Sequence, residues 1–163
     1  MALTCKTGEY NEVIEKLTEM SIPLGNIYLL YGPIDIMVKF DDLTSIGEFI
    51  TKWFNPIRNI GAEKNSIWKT MTYIVAIEGP KYAESPFAFM FLNVQPRDAE
   101  FVQKKLVALP QVISADFVFG PCDFIVPVRA KNQIDLQKAI QAVHNSVTGL
   151  EEAYTTVVAM IQI

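Results

Sequence analysis

A block of sequence recurs at a fixed distance along this chain. Tyr31-Gly32-Pro33-Ile34-Asp35-Ile36-Met37-Val38 reads almost like Phe119-Gly120-Pro121-Cys122-Asp123-Phe124-Ile125-Val126, at an offset of 88. Gly61 and Glu63 precede Gly149 and Glu151 by the same 88 positions. Two separated anchors sharing one offset predict a duplicated unit. A chain of 163 residues then has to divide its apolar surface between two small domains of like topology.

Each half parses in the same way. In the first, Tyr10, Val13, Ile14 and Leu17 have helical spacing, and Pro23 and Gly25 stop the helix. A hairpin is expected to follow, with Ile27 to Tyr31 and Ile34 to Phe40 as its strands and Gly32-Pro33 at the turn. Asp41 and Asp42 offer an N-cap to a second helix carrying Ile46, Phe49, Ile50 and Trp53, which Pro56 is expected to end. Ile67 to Ile77 reads as one long final strand. Its opening strand, Ala2 to Lys6, is expected to be short or partly missing.

The second half opens on a strand, Phe87 to Val94, and Pro96 suits the start of a helix running to about Leu109. Ile113 to Phe119 alternates as a half-buried strand, with Cys122 to Val128 as its hairpin partner. Leu136, Ala139, Ile140 and Val143 form the second helical stripe, and Tyr154 to Ile163 closes the sheet. Pro127 falls in what should be an inner strand, where proline predicts a bulge or the strand's end.

The order β-α-β-β-α-β is that of a ferredoxin-like split βαβ unit, so the fold class is α+β with two tandem repeats. Residues 1–77 form the first repeat, 78–85 a turn-rich linker and 86–163 the second. Helices on one face leave the other face of each sheet bare, and the strands are apolar on both sides. Face-to-face packing of the two sheets as a pseudo-dimeric α+β barrel is the expected solution.

Composition narrows the function classes. Half of the residues are hydrophobic and the formal net charge is −4, which recruits neither nucleic acid nor an anionic membrane in bulk. Residues 1 to 60 carry five positive charges (Lys6, Lys16, Lys39, Lys52 and Arg58) against eight acids, so direct DNA binding is not expected. The apolar stretches are strand-length, and the N-terminus lacks the basic head and apolar run of a signal peptide. Cys5 and Cys122, the only cysteines, suggest a reduced cytoplasmic setting.

The second hairpin, its following helix and Gly149-Leu-Glu-Glu-Ala-Tyr-Thr-Thr-Val, together with the opening Phe-Ala-Phe-Met-Phe-Leu-Asn-Val-Gln-Pro, resemble the effector-binding domain of Lrp/AsnC-type regulators. The likeness is best over 86–163, moderate over 27–77 and weak before that. It implies a stand-alone sensing and oligomerisation module without the helix-turn-helix half. Such a module would bind a small, amino-acid-like effector and form homo-oligomers. It would reach transcription through partners such as a full-length Lrp/AsnC-type regulator, with no cofactor. By motif the effector site carries over to Gly120, Asp123 and Thr155. Gly32 and Asp35 are their counterparts, but Ile67 stands where Thr155 does.

Each of these residues also has a plainer reading. A carboxylate can pair with an ammonium, or it can cap its own turn; a glycine can admit a ligand, or serve only the backbone angle. His144, the only histidine, falls at a helix C-terminus and is expected to complement the dipole there. No cluster suits a metal and no acid–base pair suggests catalysis, so catalytic and metal residues are assigned as none. Trp53 reads as core packing, and Trp68 as lining an interface or a pocket. The rival reading is an enzyme, a small dimeric α+β-barrel protein such as a cofactor-independent monooxygenase, which fold alone does not separate from a sensor.

Overall fold

The computed structural model describes residues 1–95 and 98–159. The chain forms two compact units, Met1–Thr72 with Ala159, and Tyr73–Val158. The first contains β1 (Ala2–Cys5), α1 (Tyr10–Glu19), β2 (Ile27–Tyr31) and β3 (Ile36–Val38). A helix of three consecutive parts follows: α2 (Ile46–Phe49), a π-helical stretch (Ile50–Phe54) and α3 (Asn55–Arg58). β4 (Ile67–Met71) completes the unit. Its strands are antiparallel in the order β4-β1-β3-β2, the ferredoxin-like arrangement. The opening strand is therefore present, short, and paired on both sides.

The second unit contains β5 (Ile74–Ile77), β6 (Ala88–Val94), α4 (Ala99–Val107), β7 (Asp116–Phe119), β8 (Phe124–Val128), α5 (Gln133–Ser146) and β9 (Leu150–Val158). Four strands repeat the same order as β9-β6-β8-β7, and β5 adds antiparallel to β7. The expected strand over Ile67 to Ile77 thus divides at Thr72-Tyr73. Its two ends have different ladder partners, β1 for one and β7 for the other.

The cores follow from the periodicities. Val13 and Leu17 of α1 are fully buried with Leu3, Ile36 and Ile57 in the first unit. In the second, Val102 and Leu106 of α4 and Leu136, Ala139 and Val143 of α5 pack against Ala88, Met90 and Leu92 of β6. Each large side chain so buried stabilises by about 1.5–3 kcal/mol, and alternation along β6 decides which residues face the helices.

Several local features differ from expectation, for physical reasons. The cap of α2 is Ser45, whose oxygen accepts from the Glu48 N–H at 3.1 Å, while the Glu48 carboxylate accepts from the Thr44 N–H and hydroxyl. Each of these side chains meets a backbone N–H at the start of the helix, so Ser45 and not Asp41 or Asp42 supplies the cap. Pro56 does not end the helix. The π-helical turn before it rearranges the hydrogen bonds that proline disrupts, and the helix continues to Arg58.

Pro127 is accommodated on its neighbour's side. From the Val112–Val128 bridge to the Asp116–Ile125 pair, the β7 side spends one residue more than β8, which is a bulge. β8 keeps its register with β6 throughout, and the Pro127 carbonyl accepts from Ile113 N–H at 2.9 Å. The proposed helix start at Pro96 lies outside the described residues; α4 is capped by Asp98, which accepts from Phe101 N–H at 3.2 Å.

Candidate functional site

The two recurring hairpins place Asp35 and Asp123 identically. The Asp35 carboxylate accepts the Cys5 N–H at 2.7 Å, and the Asp123 carboxylate accepts the Val94 N–H at 2.8 Å. Asp35 N–H donates to the Leu3 carbonyl and Asp123 N–H to that of Leu92. Leu30 N–H donates to the Asp35 carbonyl as Val118 N–H does to that of Asp123. The same three bonds recur at offsets of 88 or 89.

The ends of the hairpin ladders explain why an acid is needed: β6 pairs with β8 only as far as Leu92–Phe124, and β1 with β3 only as far as Leu3–Ile36. The β1–β4 ladder shifts register between Thr4 and Cys5, and the β6–β9 ladder between Asn93 and Val94. At each shift the final strand carries one extra residue, Trp68 in β4 and Glu151 in β9. The carboxylate takes the N–H that lies past the last hairpin pair, while the register shift lies on the other edge of the same strand. Each aspartate thus has one oxygen engaged by backbone. It also sits beside a buried thiol: burial, then the Asp35 charge, pushes Cys5 up to about 12, and burial, then the Asp123 charge, does the same to Cys122. Both thiols therefore stay protonated near neutral pH.

The ladders also correct the equivalence drawn between the final strands. Lys6 N–H donates to the Ser66 carbonyl as Gln95 N–H does to that of Gly149, each at 2.9 Å. Ser66, Ile67, Trp68 and Lys69 therefore correspond to Gly149, Leu150, Glu151 and Glu152, at an offset of 83. Gly61 and Gly149 share a sequence spacing but not a structural position. The connection after α3 spans residues 59–66, five more than the 147–149 connection after α5. On this register the position of Thr155 corresponds to Thr72, one step beyond Ala2–Met71, and not to Ile67.

Thr155 is opposite Met90, on the helix-facing side of its sheet. At about 3.3 Å per residue it stands roughly 13 Å along β6 from the Val94 N–H that Asp123 accepts. The fold brings Gly120 and Asp123 together on one turn and does not bring Thr155 to them. Gly32 and Asp35 share the equivalent turn. Tyr31 and Phe119, which precede the two glycines, are 70% and 62% exposed. His144 is exposed in the last turn of α5, and Trp53 packs on Phe40 at 5.3 Å.

The longer 59–66 connection shapes an open depression of about 630 Å³ in the first unit, lined by Asp35, Lys6, Lys64, Trp68 and neighbouring Thr and Asn side chains. Charged residues alone gave no sign of it in sequence. The spacing from helix to strand, longer in the first repeat than in the second, was the available signal. In the second unit Tyr73 and Tyr154 meet at 3.3 Å between hydroxyls, with Tyr154 stacked on Phe91 at 4.6 Å. Burial raises both phenols, that of Tyr73 further through its hydrogen bond to Tyr154. Neither is a base at neutral pH. Among the described residues no group of three or more His, Cys, Asp or Glu side chains could hold a metal, and no helix is long and apolar enough to cross a membrane.

Comparison with known proteins agrees with the second repeat. Residues 87–160 match the family model of the Lrp/AsnC ligand binding domain. Solved structures similar to the chain include a hypothetical protein from Pyrococcus horikoshii, 27% identical over 46% of this chain and 89% of its own, with a TM-score of 0.41. A protein from Thermus thermophilus is 25% identical over 47% of this chain and 94% of its own, with a TM-score of 0.41. One named FFRP-DM1 is 27% identical over 45% and 96%, with a TM-score of 0.40. No curated protein matches the chain. The match to the Lrp/AsnC ligand binding domain thus covers the stretch from β6 to β9.

Proposed function

We propose that the chain is a regulatory module that binds a small metabolite, an amino acid or close analogue, and changes its assembly in response. The observation that carries this reading is the family match over 87–160, which contains the Gly120–Asp123 turn. Asp123 gives one carboxylate oxygen to the Val94 amide, and its other oxygen remains available to an ammonium group. Gly120 keeps the turn open to approach, and Gly32 and Asp35 repeat the arrangement in the first unit. Thr155 belongs to another stretch of the sheet and joins this site only if a second chain supplies it.

The exposed aromatic rings of Tyr31 and Phe119, at the same place in both hairpins, support contacts between copies of the chain or with a full-length Lrp/AsnC-type regulator. The acidic balance of residues 1 to 60 favours action on transcription through such a partner over direct DNA contact. Both thiols and both meeting phenols are held protonated, which disfavours the rival monooxygenase reading.

The test is thermal unfolding against the twenty amino acids and common metabolites, with molar mass recorded in solution. A ligand at 100 times its Kd raises stability by about 2.7 kcal/mol, and a change in mass should accompany it. No response across the panel would remove the effector-sensing reading.

A further inference from the structure

We propose that the depression of the first unit is a binding site for a small aromatic carboxylate, selective in a way the second repeat is not. The proposal extends the ligand-binding reading to the Asp35 turn and rests on it. The depression, about 630 Å³, is of the size that small-molecule sites occupy. Its lining combines a large exposed ring with two cations. Trp68 is 62% exposed, although it belongs to a strand. As the extra residue of the β4 bulge, it has no ladder partner and turns its indole out of the regular alternation.

Lys6 and Lys64 bring the positive charge. Lys6 follows β1 directly and is held by its N–H bond to Ser66, while its ammonium has no ion-pair partner among the described residues. Lys64 stands on the longer connection and pairs with Glu12 at 3.0 Å on an exposed surface, where such a pair is weak enough to be exchanged. Thr4 and Thr7 supply hydroxyls. A ring stacked on Trp68 brings its carboxylate into the depression that Lys6 and Lys64 also line. Asp35, already committed to the Cys5 amide, repels a second carboxylate and so favours a monoanion.

The second repeat has the same frame with the opposite chemistry. The structural counterparts of Lys6, Trp68 and Lys69 are Gln95, Glu151 and Glu152, and the short 147–149 connection has no counterpart of Lys64. The ring gives way to an acid, Lys6 to a neutral amide and Lys64 to nothing, so the two repeats differ in the ligands they accept.

The experiment is isothermal titration of the full chain with phenylacetate, alongside acetate (charge without ring) and phenethylamine (ring with the opposite charge). Phenylacetate is expected to bind at least tenfold more tightly than either. Lys6→Gln with Lys64→Gln, and separately Trp68→Leu, should each weaken it at least tenfold. All three side chains are exposed, and unchanged circular dichroism and unfolding midpoint show that the fold is kept. Asp123→Asn should leave the titration unchanged, even where it alters the response to an amino-acid panel. Failure of the panel alone would count against the Gly120–Asp123 reading and not against this site. Phenylacetate binding no better than acetate, binding indifferent to the lysine and tryptophan variants, or binding lost in Asp123→Asn would each overturn it.

Discussion

Replacing Asp123 by alanine tests whether the recurring acid is first of all a backbone device. The substitution removes the acceptor of the Val94 N–H, which lies past the last β6–β8 pair, Leu92–Phe124. A hydrogen bond to a charged acceptor contributes about 1.5–3 kcal/mol, and leaving its donor unmet costs a similar amount. Asp123 is half-buried, so water partly replaces the lost oxygen and the loss should fall near 2 kcal/mol. For a chain of this length that lowers the unfolding midpoint by about 4 to 8 °C. Asp123→Asn keeps a carbonyl oxygen in place of the carboxylate and should recover at least half of the loss. Asp35→Ala, which removes the equivalent bond to Cys5 N–H, should cost as much again, and the two losses should add because their networks share no residue. Urea unfolding followed by circular dichroism reads all four variants. If Asp123→Ala costs less than about 0.5 kcal/mol, or Asp123→Asn costs the same as alanine, the account of Asp123 as a backbone acceptor is refuted.

Three other perturbations follow from particular contacts. A Cβ on Gly79 would lie 2.3 Å from Ser114 Oγ and 2.7 and 2.8 Å from Ala115 O and N, so Gly79→Ala should cost about 2 kcal/mol or more and disturb the Gly79 N–H bond to Asp116, measured by urea unfolding. Alkaline pH should destabilise the fold. Cys5 and Cys122 are acids raised to about 12 from an ordinary 9.0, so the unfolded chain loses their protons first, and stability present below pH 9 is lost as pH climbs toward 12. Cys122→Ala should flatten that fall in a pH series of unfolding midpoints. Ser45→Ala should cost about 1 kcal/mol through loss of the α2 cap, and Ser45→Asp should restore most of it in the same assay.

How much of this was legible in the sequence depends on the range of the interactions involved. Helical stripes such as Val13, Leu17 and Leu136, Ala139, Val143 are local patterns, and they mark faces that are in fact buried. The hairpin block was legible because a turn and its flanking strands are contiguous, and its offset of 88 reappears in the hydrogen bonds of Asp35 and Asp123. Strand register was not legible, because it depends on pairing between distant segments. Gly61 and Gly149 look equivalent in sequence, yet the ladders set Ser66 against Gly149. Capping at Ser45 was hidden by the stronger-looking Asp41-Asp42 pair, since all three are good caps and only the bond to the Glu48 N–H shows which one serves. For Asp123 both readings on offer were local, a turn cap or a ligand group. Its observed backbone partner is 29 residues away, on the strand that needs it.

That long-range bond bears on how a ligand at either turn would act. The aspartate holds an amide of the strand whose other edge carries the bulge, and the extra residue there is Trp68 in one repeat and Glu151 in the other. A group that binds Asp35 or Asp123 therefore touches a carboxylate bonded to the strand that pairs with the final strand. Binding energy spent on the carboxylate changes how firmly it holds the Cys5 or Val94 amide. A ligand that strengthens the turn should protect those two amides from hydrogen exchange, and one that competes for the carboxylate should expose them. The frame repeats while the projecting side chain differs. The chain can thus keep one mechanical element in duplicate and assign each copy its own chemistry.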